Sequence, residues 1–321
     1  MTWNKEEAIE QIKHGRRFGH KRVMERVYAH NCEVFGLWAD GRPTGVPGGL
    51  GDREALLNGT RVYAKSFSVD DVPVCGVATK TGCVNADCMD VAEQLLAQGL
   101  KPAILNLASR RHPCGGYHRA TSAQEEALCR ASTLSQSLYQ YFDSTKACVR
   151  DARVPHHFNA YPLDIDFGGI YSPDVCFFRS GKGEGYAFRE RPFRCGVITV
   201  AALSFREPNH YCNEERMYMA PDGGFTAEGE RIQLNKIRTI YRLALKNGHD
   251  SVILGAFGCG VNKLPCAEVA RQFKTVLSET EFAGKFKAVC FAILEGRGTA
   301  ARPVDEKGKF APFYDQFGRW A

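Results

Sequence analysis

The sequence predicts an α/β fold, on three observations. Four apolar runs, 102–105, 195–203, 251–257 and 286–294, have the length and composition of buried strands. Segments with helical spacing of apolar residues alternate with them, at 88–98, 124–141, 226–247 and 265–278. Twice a buried strand runs into a glycine-rich turn and then into a helix, at 102–141 and again at 251–278. That arrangement turns backbone N–H groups toward whatever sits at the helix start.

Taken in order, residues 1–59 read as an N-terminal helical extension. Ala8, Ile9, Ile12, Val23 and Val27 lie on plausible helix faces, and DGRPTGVPGGLG at 40–51 is a Gly/Pro-rich turn region. It lacks the Lys-Ser or Lys-Thr that would make it a phosphate-binding P-loop. A main domain spans 60–295. Within it 61–67 and 72–78 read as strands, and 83–87 ends another strand before helix 88–98, which Gly99 stops. The stretch 143–194 is the least regular, with a hairpin at 181–185. His156 and His157 have no Cys or carboxylate at a useful helical spacing, so packing or surface is the reading for both. Residues 195–203 fit a strand buried on both faces, and 208–225 a loop. Helix 226–247 is the longest, stopped by Asn247-Gly248. A tail, 296–321, carries Phe310, Phe313, Tyr314, Phe317 and Trp320, an aromatic content that points to docking on the body.

The chemistry concentrates between Asn106 and Tyr141. Pro113, Gly115 and Gly116 break regular structure after the strand, and Gln124-Glu125-Glu126 opens the next helix. Ser122 stands where an N-cap is needed, and Glu125 three residues on gives the capping-box spacing. A carboxyl beside another carboxylate has a reason to hold its proton near neutral pH, because two adjacent charges repel. A carboxyl that keeps its proton can protonate a departing oxygen. The plain alternative is that the pair only complements the helix dipole.

Asn106, Pro113-Cys114-Gly115-Gly116, a seven-residue spacer and Gln124-Glu125-Glu126 together resemble the signature of the microbial-type poly(ADP-ribose) glycohydrolases, which are built on a macrodomain. The segment Tyr171-Ser172-Pro173-Asp174-Val175 and the turn Gly255-Ala256-Phe257-Gly258-Cys259-Gly260-Val261 resemble further segments of that family. The resemblance implies a three-layer α/β/α macrodomain with a mixed central sheet, and hydrolysis of a glycosidic bond to ADP-ribose. It implies Glu126 as the catalytic acid and Glu125 and Asn106 as holders of the ribose. Gly115, Gly116, Tyr117 and Gln124 would line the ligand, Asp87 would meet the adenine, and Gly258, Cys259, Gly260 and Val261 would hold the diphosphate. Asp87 has a simpler use as the N-cap of the following helix. Two positions depart from the family pattern. Cys114 occupies the place of the first glycine, which bears on chain-length preference and rate. Asn262 occupies the place of an aromatic residue, which removes a stacking surface. Retention of both glutamates favours an enzyme over a module that reads ADP-ribose without cleaving it. A hydrolase of single protein-linked ADP-ribose units is the neighbouring alternative.

Bulk properties fit an ADP-ribose or ADP-ribosylated-protein partner. The net charge of +6 suits an anionic ligand and is too small to argue for nucleic acid. Thirteen cysteines, an odd number with no C-x-x-C, read as reduced thiols in an intracellular, cytoplasmic or nuclear protein. The charged start, MTWNKEEAIE, shows no signal peptide, and no apolar run is long enough to span a membrane. No motif calls for a cofactor or metal. His112, Cys114 and His118 have ligand chemistry, but a fourth ligand is not identifiable.

Overall fold

The computed structural model describes residues 3–14, 16–142, 154–207, 214–295 and 308–320. Among them the helices are α1 (Lys5–His14), α2 (Arg16–Ala39), α3 (Arg53–Gly59), α4 (Cys88–Ala97), α5 (Gln124–Ala131), α6 (Leu134–Tyr139), α7 (Ala227–Lys246), α8 (Cys266–Leu277) and α9 (Phe310–Phe317). The strands are β1 (Arg61–Tyr63), β2 (Lys80–Val84), β3 (Pro102–Leu107), β4 (Gly169–Arg179), β5 (Phe188–Val200), β6 (Ser251–Leu254) and β7 (Ala288–Ala292). They form one seven-stranded mixed sheet in the order β1-β4-β5-β3-β6-β7-β2. Part of the predicted 208–225 loop and the first part of the tail, 296–307, lie outside the described residues.

The chain divides into two compact units, 1–62 with 108–163 and 170–197, and 63–107 with 164–169 and 198–321. The first is built on α2. Val34 and Phe35 pack with Val46, Leu50, Cys176 and Phe178, while Val23, Met24 and Val27 pack with Ala8, Ala120 and Tyr186. The helical periodicity seen in the N-terminal residues thus has an apolar surface to serve.

The second unit holds the parallel strands. β3 pairs with β6, β6 with β7 and β7 with β2, all parallel, with Val252 level with Val289 and Ile253 with Cys290. β6 and β7 are buried along almost their whole length, as their largely apolar sequences predict, while the edge strand β2 is buried only at its centre. Phe273 of α8 and Tyr241 of α7 are fully buried. The tail docks here. Phe313 and Phe317 of α9 lie 5.1 and 4.4 Å, centroid to centroid, from Phe291 of β7. Beyond α9 the chain runs beside β2, where Trp320 N donates to Cys83 O and Cys83 N to Gly318 O, each at 2.9 Å. A Cβ at Gly82 would stand 2.6 Å from Trp320 N, so only glycine admits the tail there.

Three local expectations are corrected. Residues 72–78 form no strand: Pro73 and Gly76 interrupt the segment, Val74 is 64% exposed, and Cys75 N donates to Gly284 O. The predicted helix 124–141 is two helices. Ser132 is extended (φ −143°, ψ 176°), and its hydroxyl donates to Leu128 O and accepts from Leu134 N. Thr133 exchanges hydrogen bonds with Cys176 of β4 instead of continuing the helix. Ser122 is not the cap of α5; Ala123 holds that position and makes no side-chain cap bond.

Candidate functional site

The first unit carries the carboxylates. Glu125 and Glu126 occupy the first turn of α5 and are 3% and 5% exposed, so they are interior groups and not a solvated helix end. Each receives a backbone N–H from the preceding loop. Ser109 N donates to Glu125 Oε2 at 2.7 Å, and Gly116 N donates to Glu126 Oε1 at 2.8 Å. Glu125 is thus tied to Ser109, and with Ala123 as the cap of α5 no hydroxyl is in place to form a capping box with it. Glu126 Oε2 is buried and has no hydrogen-bond partner among the described residues. A buried carboxyl oxygen left unpartnered in this way is costly, which sets Oε2 apart from the satisfied Oε1.

The glycine loop is shaped around these carboxylates. Gly115 has φ +51°, and a Cβ there would lie 2.5 Å from Glu126 Oε1 and 3.1 Å from Glu125 Oε2. A Cβ at Gly116 would strike Thr121 Oγ1 at 2.2 Å. Cys114, standing in a glycine's place, adopts the left-handed φ of +59° and buries its side chain completely. The thiol lies among Cys129, Tyr139 and the two glutamates, and burial pushes its pKa up. The departure from glycine is accommodated because the loop keeps the left-handed backbone and the thiol turns inward. Tyr117 is buried, and its ring meets Tyr28 edge-on at 4.9 Å. Gln124 begins α5 directly before the carboxylates. Beside this loop, burial lowers the pKa of His112 and of His118, helped by the charge of Arg119. Among the described residues no group of three or more His, Cys, Asp or Glu could hold a metal ion.

The second unit carries the other candidates on separate elements. Asn106, near the end of β3, is fully buried and donates to Thr199 Oγ1 at 3.2 Å. Asp87 caps α4 by accepting from Met89 N at 2.9 Å. The turn after β6 has Gly258 at φ +76°, where a Cβ would stand 2.3 Å from Leu264 Cδ1 and 2.8 Å from Ala202 Cβ. Cys259 is buried, Val261 is 57% exposed, and α8 begins five residues beyond Val261. A Cβ at Gly260 would lie 3.7 Å from Lys309 Nζ, which brings an ammonium to this turn from the tail. Asn262 O accepts from Phe205 N at 2.8 Å. The hydrogen bond with the Cys259 thiol lowers the Cys266 pKa to about 7, burial opposing and the nearby Lys309 assisting. Sequence reading missed Ser109, Thr121 and Lys309. Only their folded positions mark them, since none belongs to a recognisable spacing.

A mixed α/β sheet with buried paired carboxylates at the start of a helix, closed by a glycine loop, defines a macrodomain-like protein. Residues 48–180 match the family model described as "Microbial-type PARG, catalytic domain". The fold is similar to that of poly(ADP-ribose) glycohydrolase from Thermomonospora curvata, with a TM-score of 0.65 and 25% identity, covering 92% of this chain and 100% of that one. It is likewise similar to that enzyme bound to the inhibitor ADP-HPD, with a TM-score of 0.64, 26% identity and the same coverage. A mutant of the Deinococcus radiodurans poly(ADP-ribose) glycohydrolase in complex with ADP-ribose matches with a TM-score of 0.60 and 25% identity, covering 83% of this chain and 97% of that one. No curated protein matches. Over the matched span and in its fold the chain is similar to the microbial-type poly(ADP-ribose) glycohydrolases.

Proposed function

We propose that this protein is an ADP-ribose glycohydrolase in which Glu126 is the general acid. The observation that carries the assignment is the asymmetry of the Glu126 carboxyl. Oε1 accepts a backbone N–H from Gly116, while Oε2 is buried and has no partner among the described residues. An oxygen that accepts an N–H is a poor place for the proton, so a protonated Glu126 carries it on Oε2. That proton passes to the departing oxygen as the bond to the ribose anomeric carbon breaks. Positive charge builds on that carbon, a water attacks it, and the water's proton returns to the Glu126 carboxylate. This shares the acid logic of other glycosidases, with the bound ligand helping to orient the water.

Glu125, fixed through Ser109, accepts hydrogen bonds from the ribose hydroxyls. Asn106 is a second candidate for the ribose. Gly115 and Gly116 offer their backbone to the ribose, and their lack of a side chain leaves room for the carboxylates and Thr121 behind them. Tyr117 and Gln124 line the same segment. The backbone of Gly258, Cys259, Gly260 and Val261 takes the diphosphate, and Asp87 meets the adenine with the carboxylate oxygen not used in capping. The substrate is poly(ADP-ribose) or ADP-ribose attached to protein. Among the described residues no helix is long and apolar enough to cross a membrane.

The test is to incubate the protein with polymer and with proteins carrying ADP-ribose through defined linkages, and to identify the released products by mass. Release of ADP-ribose is expected, with turnover by Glu126→Gln lower by about 10² to 10⁴. Calorimetry should give ADP-ribose a Kd of about micromolar for both forms, near −8 kcal/mol. Tight binding without cleavage of any linkage would make the chain a reader. Wild-type turnover by Glu126→Gln would remove Glu126 as the acid.

A further inference from the structure

Helix α2 contributes no residue to the candidate site, yet one of its side chains is bonded to both the loop and the helix that form it. Asn31 is fully buried. Its Nδ2 donates to the Tyr117 hydroxyl at 2.8 Å and to the backbone carbonyl of Arg130 at 2.9 Å. Tyr117 directly follows Gly116, whose N–H holds Glu126. Arg130 lies four residues after Glu126, one turn further along α5. A single amide therefore spans the two parts whose separation sets the Gly116–Glu126 contact.

The orientation of that amide is itself fixed. Arg179 Nε donates to Asn31 Oδ1 at 2.7 Å, and a guanidinium has no acceptor, so the oxygen must face Arg179 and both N–H groups must face the site. Arg179 is fully buried. It also donates to Tyr186 O at 2.8 Å and to His30 Nδ1 at 2.9 Å, and it stands over the rings of Phe188 and Trp3 at 4.4 and 5.1 Å. A buried cation held by this many groups cannot swing away without losing all of them. The Tyr117 ring is kept in place by Tyr28 of the same helix and by the Arg130 guanidinium at 5.9 Å.

We propose that Asn31 is a positioning residue for catalysis: it fixes the glycine loop against α5 so that Glu126 Oε2 is presented in register with the scissile bond. The N-terminal helices thereby act as part of the catalytic apparatus. The inference rests on Glu126 being the acid. A displacement of the acid by about an ångström is enough to cost up to about a hundredfold in rate, whereas ligand affinity tolerates it better.

The test uses Asn31→Ala, Tyr117→Phe and the double variant in the full chain. All are assayed at a temperature where circular dichroism shows each fully folded. For Asn31→Ala, kcat on ADP-ribosylated substrate should fall about tenfold to a hundredfold, while the calorimetric Kd for ADP-ribose moves by less than about threefold. Tyr117→Phe, which keeps the ring and removes only the bonded hydroxyl, should lower kcat in the same sense. The double variant should fall no further than Asn31→Ala, because both changes cut one link. Wild-type kcat in a folded Asn31→Ala, or single effects that simply multiply in the double variant, overturns the proposal. Where Asn31→Ala does not fold, Tyr117→Phe alone decides it, an unchanged kcat being the refuting outcome. A wild-type protein that neither binds nor cleaves would instead refute the glycohydrolase reading.

Discussion

The backbone N–H of Gly116 donates to Oε1 of Glu126 at 2.8 Å, joining the end of the glycine loop to the first turn of α5. The contact needs both residue types. Gly116 has no room for a side chain beside Thr121, and Glu126 has the reach to fold back from the helix to the loop. It leaves the second carboxyl oxygen without a partner among the described residues, and it ties the position of the Glu126 carboxyl to the geometry of the loop.

The most direct consequence concerns Gly115. Alanine there would place a methyl group 2.5 Å from Glu126 Oε1 at a backbone φ of +51°. The left-handed conformation costs a non-glycine residue about 1 kcal/mol, which the fold survives. The collision with the carboxylates it does not accommodate without moving them. Turnover by Gly115→Ala should fall by about 10² or more with the circular dichroism spectrum unchanged. Near-wild-type kcat would show that the carboxylates do not need the glycine.

Glu125 should behave differently from Glu126. Glu125→Gln keeps one oxygen to accept from Ser109 N but replaces the other with a donor. With Glu125 in the proposed ribose-holding role, the amide would pair differently with the hydroxyls, so kcat should fall and the Kd for ADP-ribose should rise by about tenfold, the usual worth of one good hydrogen bond. Calorimetry beside steady-state kinetics separates this from Glu126→Gln, whose Kd should barely move.

Cys114 shows how a glycine position is held by another residue. At φ +59° it carries strain that glycine would release, but its buried thiol fills space beside Cys129. The two effects oppose each other and are each of about 1 kcal/mol, so Cys114→Gly should leave stability within about 1 kcal/mol of wild type and retain activity. Cys114→Val adds a branched Cβ where the left-handed backbone disfavours it, and should lower stability clearly. Chemical denaturation of the two variants measures the difference.

The Cys266 thiol, with a pKa lowered to about 7 by the Cys259 thiol and Lys309, should be alkylated by a maleimide at a rate that climbs as pH rises through 7. Cys83 and Cys290, pushed up to about 12 by burial, should stay unlabelled in the folded chain. Peptide-resolved mass spectrometry after labelling at pH 6 and pH 8 checks the reactivity.

Much of this protein is written in local sequence. The largely apolar stretches 195–200 and 252–254 fall in β5 and β6 because burial on both faces suits such runs. Helix α7 was legible from its apolar spacing and its Asn247-Gly248 stop, and the Gly-Gly and Gln-Glu-Glu elements from their separation. Where sequence reading failed, a distant partner had decided the outcome. Ser132 ends α5 because Thr133 bonds to Cys176, more than forty residues away. Residues 72–78 look like a strand, but Cys75 N donates to Gly284 O, more than two hundred positions away, and Val74 is exposed. The inward burial of Glu125 and Glu126, the unpartnered Oε2, and the bridge from Asn31 to Tyr117 across 86 positions lie outside any local pattern. Spacing along a chain specifies which side chains share a helix face or a strand face. Which carboxyl oxygen is desolvated, and which amide holds it in place, depends on groups that only the folded chain brings within hydrogen-bond reach.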